Sequence, residues 1–348
     1  MKLKTLLTLF ITFFILINCS GDDSSFTNNS VINNSNNSSS GTIISDSKKN
    51  YPTSILKTGQ TKSYDINGEE VTDGSIKDDG YYQAGAVREY IKNKDVVDDT
   101  ITGITWEESN HSGEIVLTLR EASKYCSDLS LNNSNNWQLP TAKELLGLVD
   151  YSKRDPAIDS EFSNINSSSN SIGYWSSSST SGGFEFWVSF STGNDHFYIT
   201  QSNKHYVKCA DLSYSNYKEA DFSRDSVGIV IDNNSKLWWQ DDKVVDAKNW
   251  QEAIDYCEAS TLGGYSDWRL PNINELLSIV DYSASGAKLD KVFKNRVYGS
   301  YWSSTSHSAS SKVAWGINFK YGTNSYYSKS KDNAIRCVRG GELISKIR

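Results

Sequence analysis

The chain has 348 residues, 37% of them hydrophobic and 12% aromatic, with 35 basic against 42 acidic side chains and an isoelectric point near 5.3. That balance argues against nucleic acid, whose recognition needs a basic face on a basic domain. One methionine and four prolines leave 10 Trp, 20 Tyr and 12 Phe to fill whatever core the chain builds.

Lys2 and Lys4 precede an apolar run from Leu6 to Ile17, the charge-then-apolar order of an export signal. The run is shorter than the roughly 20 residues a bilayer-spanning helix needs. It ends in Leu16-Ile17-Asn18-Cys19, which resembles the lipobox of bacterial lipoproteins. The resemblance implies a signal peptide over 1–18 and a lipid anchor on Cys19, so the membrane is the first expected partner. A cleaved secretory signal with a chance cysteine is the competing reading. Cysteine arithmetic argues against it, because the other four cysteines fall into two equivalent pairs and Cys19 is the odd one. From 19 to 50 the chain reads as a tether: Ser and Asn fill 17 of the 31 positions from Ser20 to Asn50. Such a segment buries too little to repay ordering and reaches roughly 30 Å as a flexible coil. Ser20 with Asp22 and Asp23 resembles the acidic start of outer-membrane and surface-exported lipoproteins, which implies a cell-envelope location at the outer membrane, with the inner leaflet and the exposed surface both open.

The rest of the chain repeats itself. EASKYCSDLS, WQLPTAKELLGLVDYS, YWSSSS, FWVSFSTG and YVKCA in the first half return as EAIDYCEAST, WRLPNINELLSIVDYS, YWSSTS, AWGINFKYG and AIRCVRG in the second. Cys126 to Cys257, Trp137 to Trp268 and Tyr151 to Tyr282 shift by 131, and Cys209 to Cys337 by 128. Two copies of one unit follow, a first domain with an N-terminal extension over 51–213 and a second over 217–342.

In each copy the first helix carries an apolar stripe, Leu119, Ala122, Ser123, Cys126 and then Trp250, Ala253, Ile254, Cys257. A second helix starts at the Leu-Pro step, with Thr141 and Glu144, then Asn272 and Glu275, spaced as capping boxes. Ser-, Gly- and aromatic-rich runs after it read as antiparallel strands. Helices followed by strands predict an α+β unit, two helices on one small antiparallel sheet. Four cysteines allow three connectivities, and repeat symmetry selects Cys126 with Cys209 and Cys257 with Cys337. Each bridge would add roughly 4 kcal/mol if unstrained, under oxidising conditions outside the cytoplasm.

The strings WQLPTAKELLGLVDYS and WRLPNINELLSIVDYS, with YWSS and RCVRG, are similar to the C-terminal domain of the Legionella collagen-like adhesin. ILKTGQTKSYD with Asp78-Asp79-Gly80 resembles the lead-in to that domain, so the likeness runs over roughly 51–341. It implies a surface or periplasmic adhesion module that binds sulfated glycosaminoglycans. The collagen-like repeats that help that adhesin trimerise are absent. The helix cysteine, Leu-Pro helix and closing cysteine strand also resemble the C-type-lectin-like architecture, which formylglycine-generating enzymes share in related form. A fold of that kind hosts many functions.

Catalysis needs a nucleophile, an acid–base pair or a metal cluster, and the sequence supplies none. His111, His196, His205 and His307 neither recur between copies nor take zinc-like spacing. Copper-dependent formylglycine chemistry would need free thiols, and the pairing above leaves none. Glu144 and Glu275, like Asp150 and Asp281, recur, and helix capping explains them before metal binding or acid–base work does. Trp175, Trp187, Trp302 and Trp315 lie in alternating runs that favour core packing over sugar stacking. Arg269 is Gln138 in the first copy, so no shared role rests on that guanidinium. No catalytic residue, metal or cofactor is therefore expected.

Charge separates the copies. Residues 51–216 carry 13 basic and 23 acidic side chains, whereas 217–348 carry 18 and 16. Lys288, Lys291, Lys294, Arg296, Lys312, Lys320, Lys329 and Lys331 face a single anion, Asp290, between Gly286 and Lys331, with Tyr326 and Tyr327 among them. Such an aromatic-basic stretch suits an acidic polysaccharide or glycosaminoglycan. A solvated face balancing the acidic neighbour is the plainer reading. Binding to an envelope protein partner is the alternative function, and a formylglycine-generating type of enzyme a third.

Overall fold

The computed structural model of the protein describes residues 55–109, 113–168, 172–180, 182–198, 202–216 and 220–340. The signal segment, Cys19, the tether, His111 and residues 341–342 lie outside the described residues. No described helix is long and apolar enough to cross a membrane.

Both copies run through the same elements, and both begin with strands rather than helices. Tyr90–Asn93, Val96–Asp99 and Thr105–Glu107 form an antiparallel meander in the first copy, matched by Phe222–Arg224, Ile229–Asp232 and Leu237–Gln240 in the second. Then come the cysteine helix, Leu119–Asp128 or Trp250–Glu258, and the Leu-Pro helix, Ala142–Gly147 or Ile273–Leu276. A second sheet follows, Tyr174–Ser179, Glu185–Val188 and Asp195–Tyr198, or Ser300–His307, Ser310–Asn318 and Thr323–Ser328.

The closing strand, Ala210–Asp211 or Val338–Gly340, returns to the first sheet, where Ala210 faces Trp106 and Val338 faces Trp239. Each copy thus has two small, mainly antiparallel sheets where the sequence led us to expect one. The leading strands escape a period-2 reading because Val96 with Val97, and Ile229 with Val230, bury consecutive side chains.

All four of these helices start with a reciprocal capping box: Thr118 with Glu121, Thr141 with Glu144, Asn249 with Glu252, and Asn272 with Glu275. Disulfides join Cys126 to Cys209 and Cys257 to Cys337, each tying the first helix to the residue before the closing strand. Trp137, Trp175 and Trp187 pack around the first bridge, and Trp250, Trp268 and Trp302 around the second.

The copies do not keep separate cores. One apolar cluster contains Leu145 and Phe186 of the first together with Leu276 and Trp315 of the second. Contacts across the junction are reciprocal: Tyr151 meets Trp315 with ring centroids 5.1 Å apart, and its counterpart Tyr282 meets Phe186, the counterpart of Trp315, at 4.7 Å. Asp195 and its counterpart Asn324 meet near the centre, the Asn324 N–H donating to Asp195 Oδ1 at 2.9 Å. Equivalent surfaces facing each other in this way make an isologous pair within one chain.

Residues 55–88 strap the pair together. They precede the first copy in sequence and dock largely on the second. Asn274 Nδ2 donates to the Leu56 carbonyl at 2.7 Å, Asn272 Nδ2 to that of Ala84 at 3.0 Å, and Ser306 N to Gln60 Oε1 at 2.6 Å. On the first copy, Tyr151 N donates to the Thr58 carbonyl at 2.7 Å, and Arg88 donates to the carbonyls of Gly147 and Val149. Asp78 caps the Asp79–Tyr82 turn and Asp79 is buried. A Cβ at Gly80 would overlap the Lys62 carbonyl, so the Asp-Asp-Gly signature is a packing requirement.

Candidate binding surface

The predicted basic stretch does not fold into one face. Lys288 and Lys329 leave it altogether, because each ammonium is turned inward onto backbone carbonyls. Lys288 Nζ donates to Tyr282 O and Ala284 O at 3.0 and 2.7 Å. Lys329 Nζ donates to Tyr64 O and Asp65 O at 3.2 and 3.0 Å and lies 3.5 Å above the Trp250 ring. Burial pushes the Lys329 amine down to about 7.

The six exposed cations divide between the two ends of the second copy's outer sheet. Lys291, Lys294 and Arg296 share one end with Lys320, since Phe319 pairs through its backbone with Lys288 and Gly299. Lys312 and Lys331 sit at the other, where Lys329 N bonds the Lys312 carbonyl. Some eight residues of strand at about 3.3 Å each separate Lys312 from Lys320. That is beyond the roughly 10 Å screening length at 0.1 M salt, so the two groups do not act as one patch. Tyr327 is held by Ser300 at 2.7 Å and packs on Trp302, whereas Tyr326 is 47% exposed and covers His307.

Where strap and both copies converge, a groove of about 470 Å³ opens. Gln60, Thr61, Lys62 and Tyr64 come from the strap, Tyr151 and Ser152 from the first copy, and the 306–312 hairpin from the second. Hydroxyls dominate, on Thr61, Ser152, Ser306, Ser308, Ser310 and Ser311. Ser308 is anchored to Lys153 O at 3.2 Å and Ser311 to Gly68 O at 2.7 Å. The Ser306 hydroxyl is buried without a partner among the described residues.

Burial, with the Arg154 charge adding, pushes His307 down to about 4, so its imidazole is neutral near pH 7. Its Nδ1 accepts from Ala309 N at 3.1 Å. Lys62 pairs with Glu70 at 2.6 Å, and Lys312 stands exposed at the rim. Such a lining hydrogen-bonds a hydroxylated ligand and offers a cation to an anionic one. Of the residues predicted to bind ligand, Lys312 lines it, and Tyr326 packs on its lining residue His307. The strap and hairpin went unread as site residues, although ILKTGQTKSYD standing outside the repeat was a signal for the former.

The remaining candidates have structural partners. Glu144 and Glu275 accept from the N–H of Thr141 and Asn272, and Arg269 forks onto Glu275. Asp150 and Asp281 hold Ser152 and Ser283. Trp175, Trp187, Trp302 and Trp315 are buried and offer no platform to a sugar. His196 stacks on Trp187 at 4.3 Å, and His205 Nδ1 accepts from Gly173 N at 3.1 Å. Burial lowers these imidazoles to about 4 and about 3. Among the described residues no three His, Cys, Asp or Glu side chains gather as a metal site.

A family model described as the Lcl C-terminal domain matches residues 95–210 and again 228–339, about two thirds of the chain. Comparison with curated proteins gives no match. The two matched segments coincide with the two repeated units, and the strap lies outside both.

Proposed function

The chain belongs to the Lcl C-terminal domain family, and from that premise we propose that it is an extracytoplasmic adhesion lipoprotein that holds acidic or sulfated glycan in the groove between its copies. The observation that carries this reading is the groove itself: hydroxyls, a neutral imidazole and the Lys312 ammonium converge on a cleft built from three parts of the chain. Polar groups of that kind orient a polyhydroxylated ligand, and the exposed cation selects for its charge.

The membrane is reached through lipid on Cys19, with the Ser/Asn-rich tether setting the distance, and the location is the outer membrane. Two helices, paired sheets and a helix-to-strand disulfide in each copy support a C-type-lectin-like arrangement. The protein acts by binding rather than catalysis, and with all four domain cysteines in disulfides no thiol remains in the folded region for formylglycine-type chemistry.

A glycan array probed with the full exported chain at two salt concentrations tests the proposal. Retention of acidic glycans that weakens with salt and drops several-fold in Lys312→Glu is expected. Lack of retention on every acidic glycan would remove it. Mass spectrometry of the mature N-terminus tests the anchor, and an unmodified Cys19 overturns that part.

A further inference from the structure

The isologous pairing of the copies creates two equivalent slots, and among the described residues the strap fills one of them. In the filled slot Leu56–Gln60 and Asp79 lie between the Leu-Pro helix of the second copy and the Asp150-Tyr151-Ser152 turn of the first. Their partners Asn272, Asn274 and Thr305 are almost wholly buried, at 1%, 5% and 0% exposure. In the other slot the repeat places Thr141, Lys143 and Ser178 opposite Asp281, Tyr282 and Ser283. There the same positions are less buried: Thr141, Lys143 and Ser178 are partly exposed around a cleft of about 350 Å³, which Ala220 and Phe222 also line. The lead-in to the second copy is only residues 212–221 and carries no counterpart of ILKTGQTKSYD or Asp-Asp-Gly.

We propose that this open slot binds an extended strap-like segment of a second polypeptide. Six lining residues are the counterparts of those that form the filled slot, whose occupant is on view, so the ligand class follows from the molecule's own precedent. An extended chain with Leu-x-Thr-Gly-Gln character fits. Its carbonyls take donors from the helix terminus, and its glycine passes the Asp-Tyr-Ser turn, as Gly59 does with φ +98° against Asp150. Lys143 replaces Asn274 at the position that meets the Leu56 carbonyl, so the donor at that place in the open slot is an ammonium rather than an amide. The inference stands apart from the glycan reading, which concerns the groove at the other side of the junction.

The test is fluorescence anisotropy of a labelled peptide with the sequence of residues 54–86, titrated with the full exported chain. Saturable one-to-one binding is expected, weakened at least tenfold by Ser178→Trp, which fills the slot, and by Lys143→Glu, which sets an acceptor against the peptide carbonyls. Asn274→Ala, in the filled slot, should leave it unchanged. Absence of saturable binding overturns the proposal. So does binding that both open-slot variants leave intact, or binding that depends on Asn274, which marks exchange with the resident strap. Should Ser178→Trp not fold, Lys143→Glu, at a partly exposed helix position, decides alone.

Discussion

The Thr305 hydroxyl donates to the Asp79 carboxylate at 2.7 Å across 226 residues of sequence. The same oxygen accepts from Thr58 at 2.6 Å, while Asp79 Oδ1 is buried and unpartnered among the described residues. Asp79 is thus one of the points at which the strap is fastened to the second copy, beside Leu56, Gln60 and Ala84, and its ionisation is opposed by its surroundings.

Burial pushes the Asp79 carboxyl up to about 7, with the charges of Asp78 and Glu275 adding and the two threonine hydroxyls resisting. The folded state therefore keeps a proton that the unfolded chain releases near pH 4. Between about pH 4 and 7 folding binds more protons than unfolding, so this group's contribution falls as pH rises and is gone above 7. At about 1.4 kcal/mol per pH unit the effect reaches a few kcal/mol. His196, His205 and His307 act oppositely, losing stability as pH falls below 6.5 toward their lowered values. The difference between wild type and Asp79→Asn isolates the carboxyl: in urea unfolding the variant should gain on wild type from pH 5 to pH 8. A difference constant with pH would refute the protonated strap.

Lys312 and Lys329 lie seventeen residues apart in the same basic stretch yet should respond oppositely to substitution. Lys329→Met removes the donor that serves the Tyr64 and Asp65 carbonyls and should lower stability by about 1–3 kcal/mol. Exposed Lys312→Ala should stay within about 0.5 kcal/mol of wild type and act only on ligand retention. Thermal melts of both variants, with wild type as reference, are the check. Equal stability of the two would contradict the interior placement of Lys329.

Repetition made much of this legible. The two Leu-Pro helices, their capping boxes and the cysteine pairing follow from comparing the copies, because a spacing preserved twice leaves few arrangements open. Lys288 and Lys329 could not be read correctly, since burial of a lysine depends on carbonyls supplied by distant segments, Tyr64 and Asp65 among them. The groove and the open slot were beyond reach for a related reason. Both arise from how Tyr151 and Tyr282 meet the opposite copy, and a repeat reveals two units without revealing the face on which they pair.

Removing one disulfide should be felt across the whole chain. Each closes a loop of 80 or more residues, so Cys257→Ser with Cys337→Ser should cost roughly 4 kcal/mol. The loss is expected to lower a single melting transition, because the helices of both copies and the Tyr151–Trp315 and Phe186–Tyr282 contacts share one core. Two independently folding domains would instead show one transition lowered and the other unmoved.

Tyr151→Ala should likewise destabilise by about 3–5 kcal/mol, the range for emptying a large aromatic from a core. Tyr282→Ala should do nearly the same from the other side, as the reciprocal packing requires. Differential scanning calorimetry of the three variants reports both the size of each loss and the number of transitions. Separate peaks in the disulfide variant, or a tyrosine variant that melts like wild type, would show that the junction between the copies is not part of the folding unit.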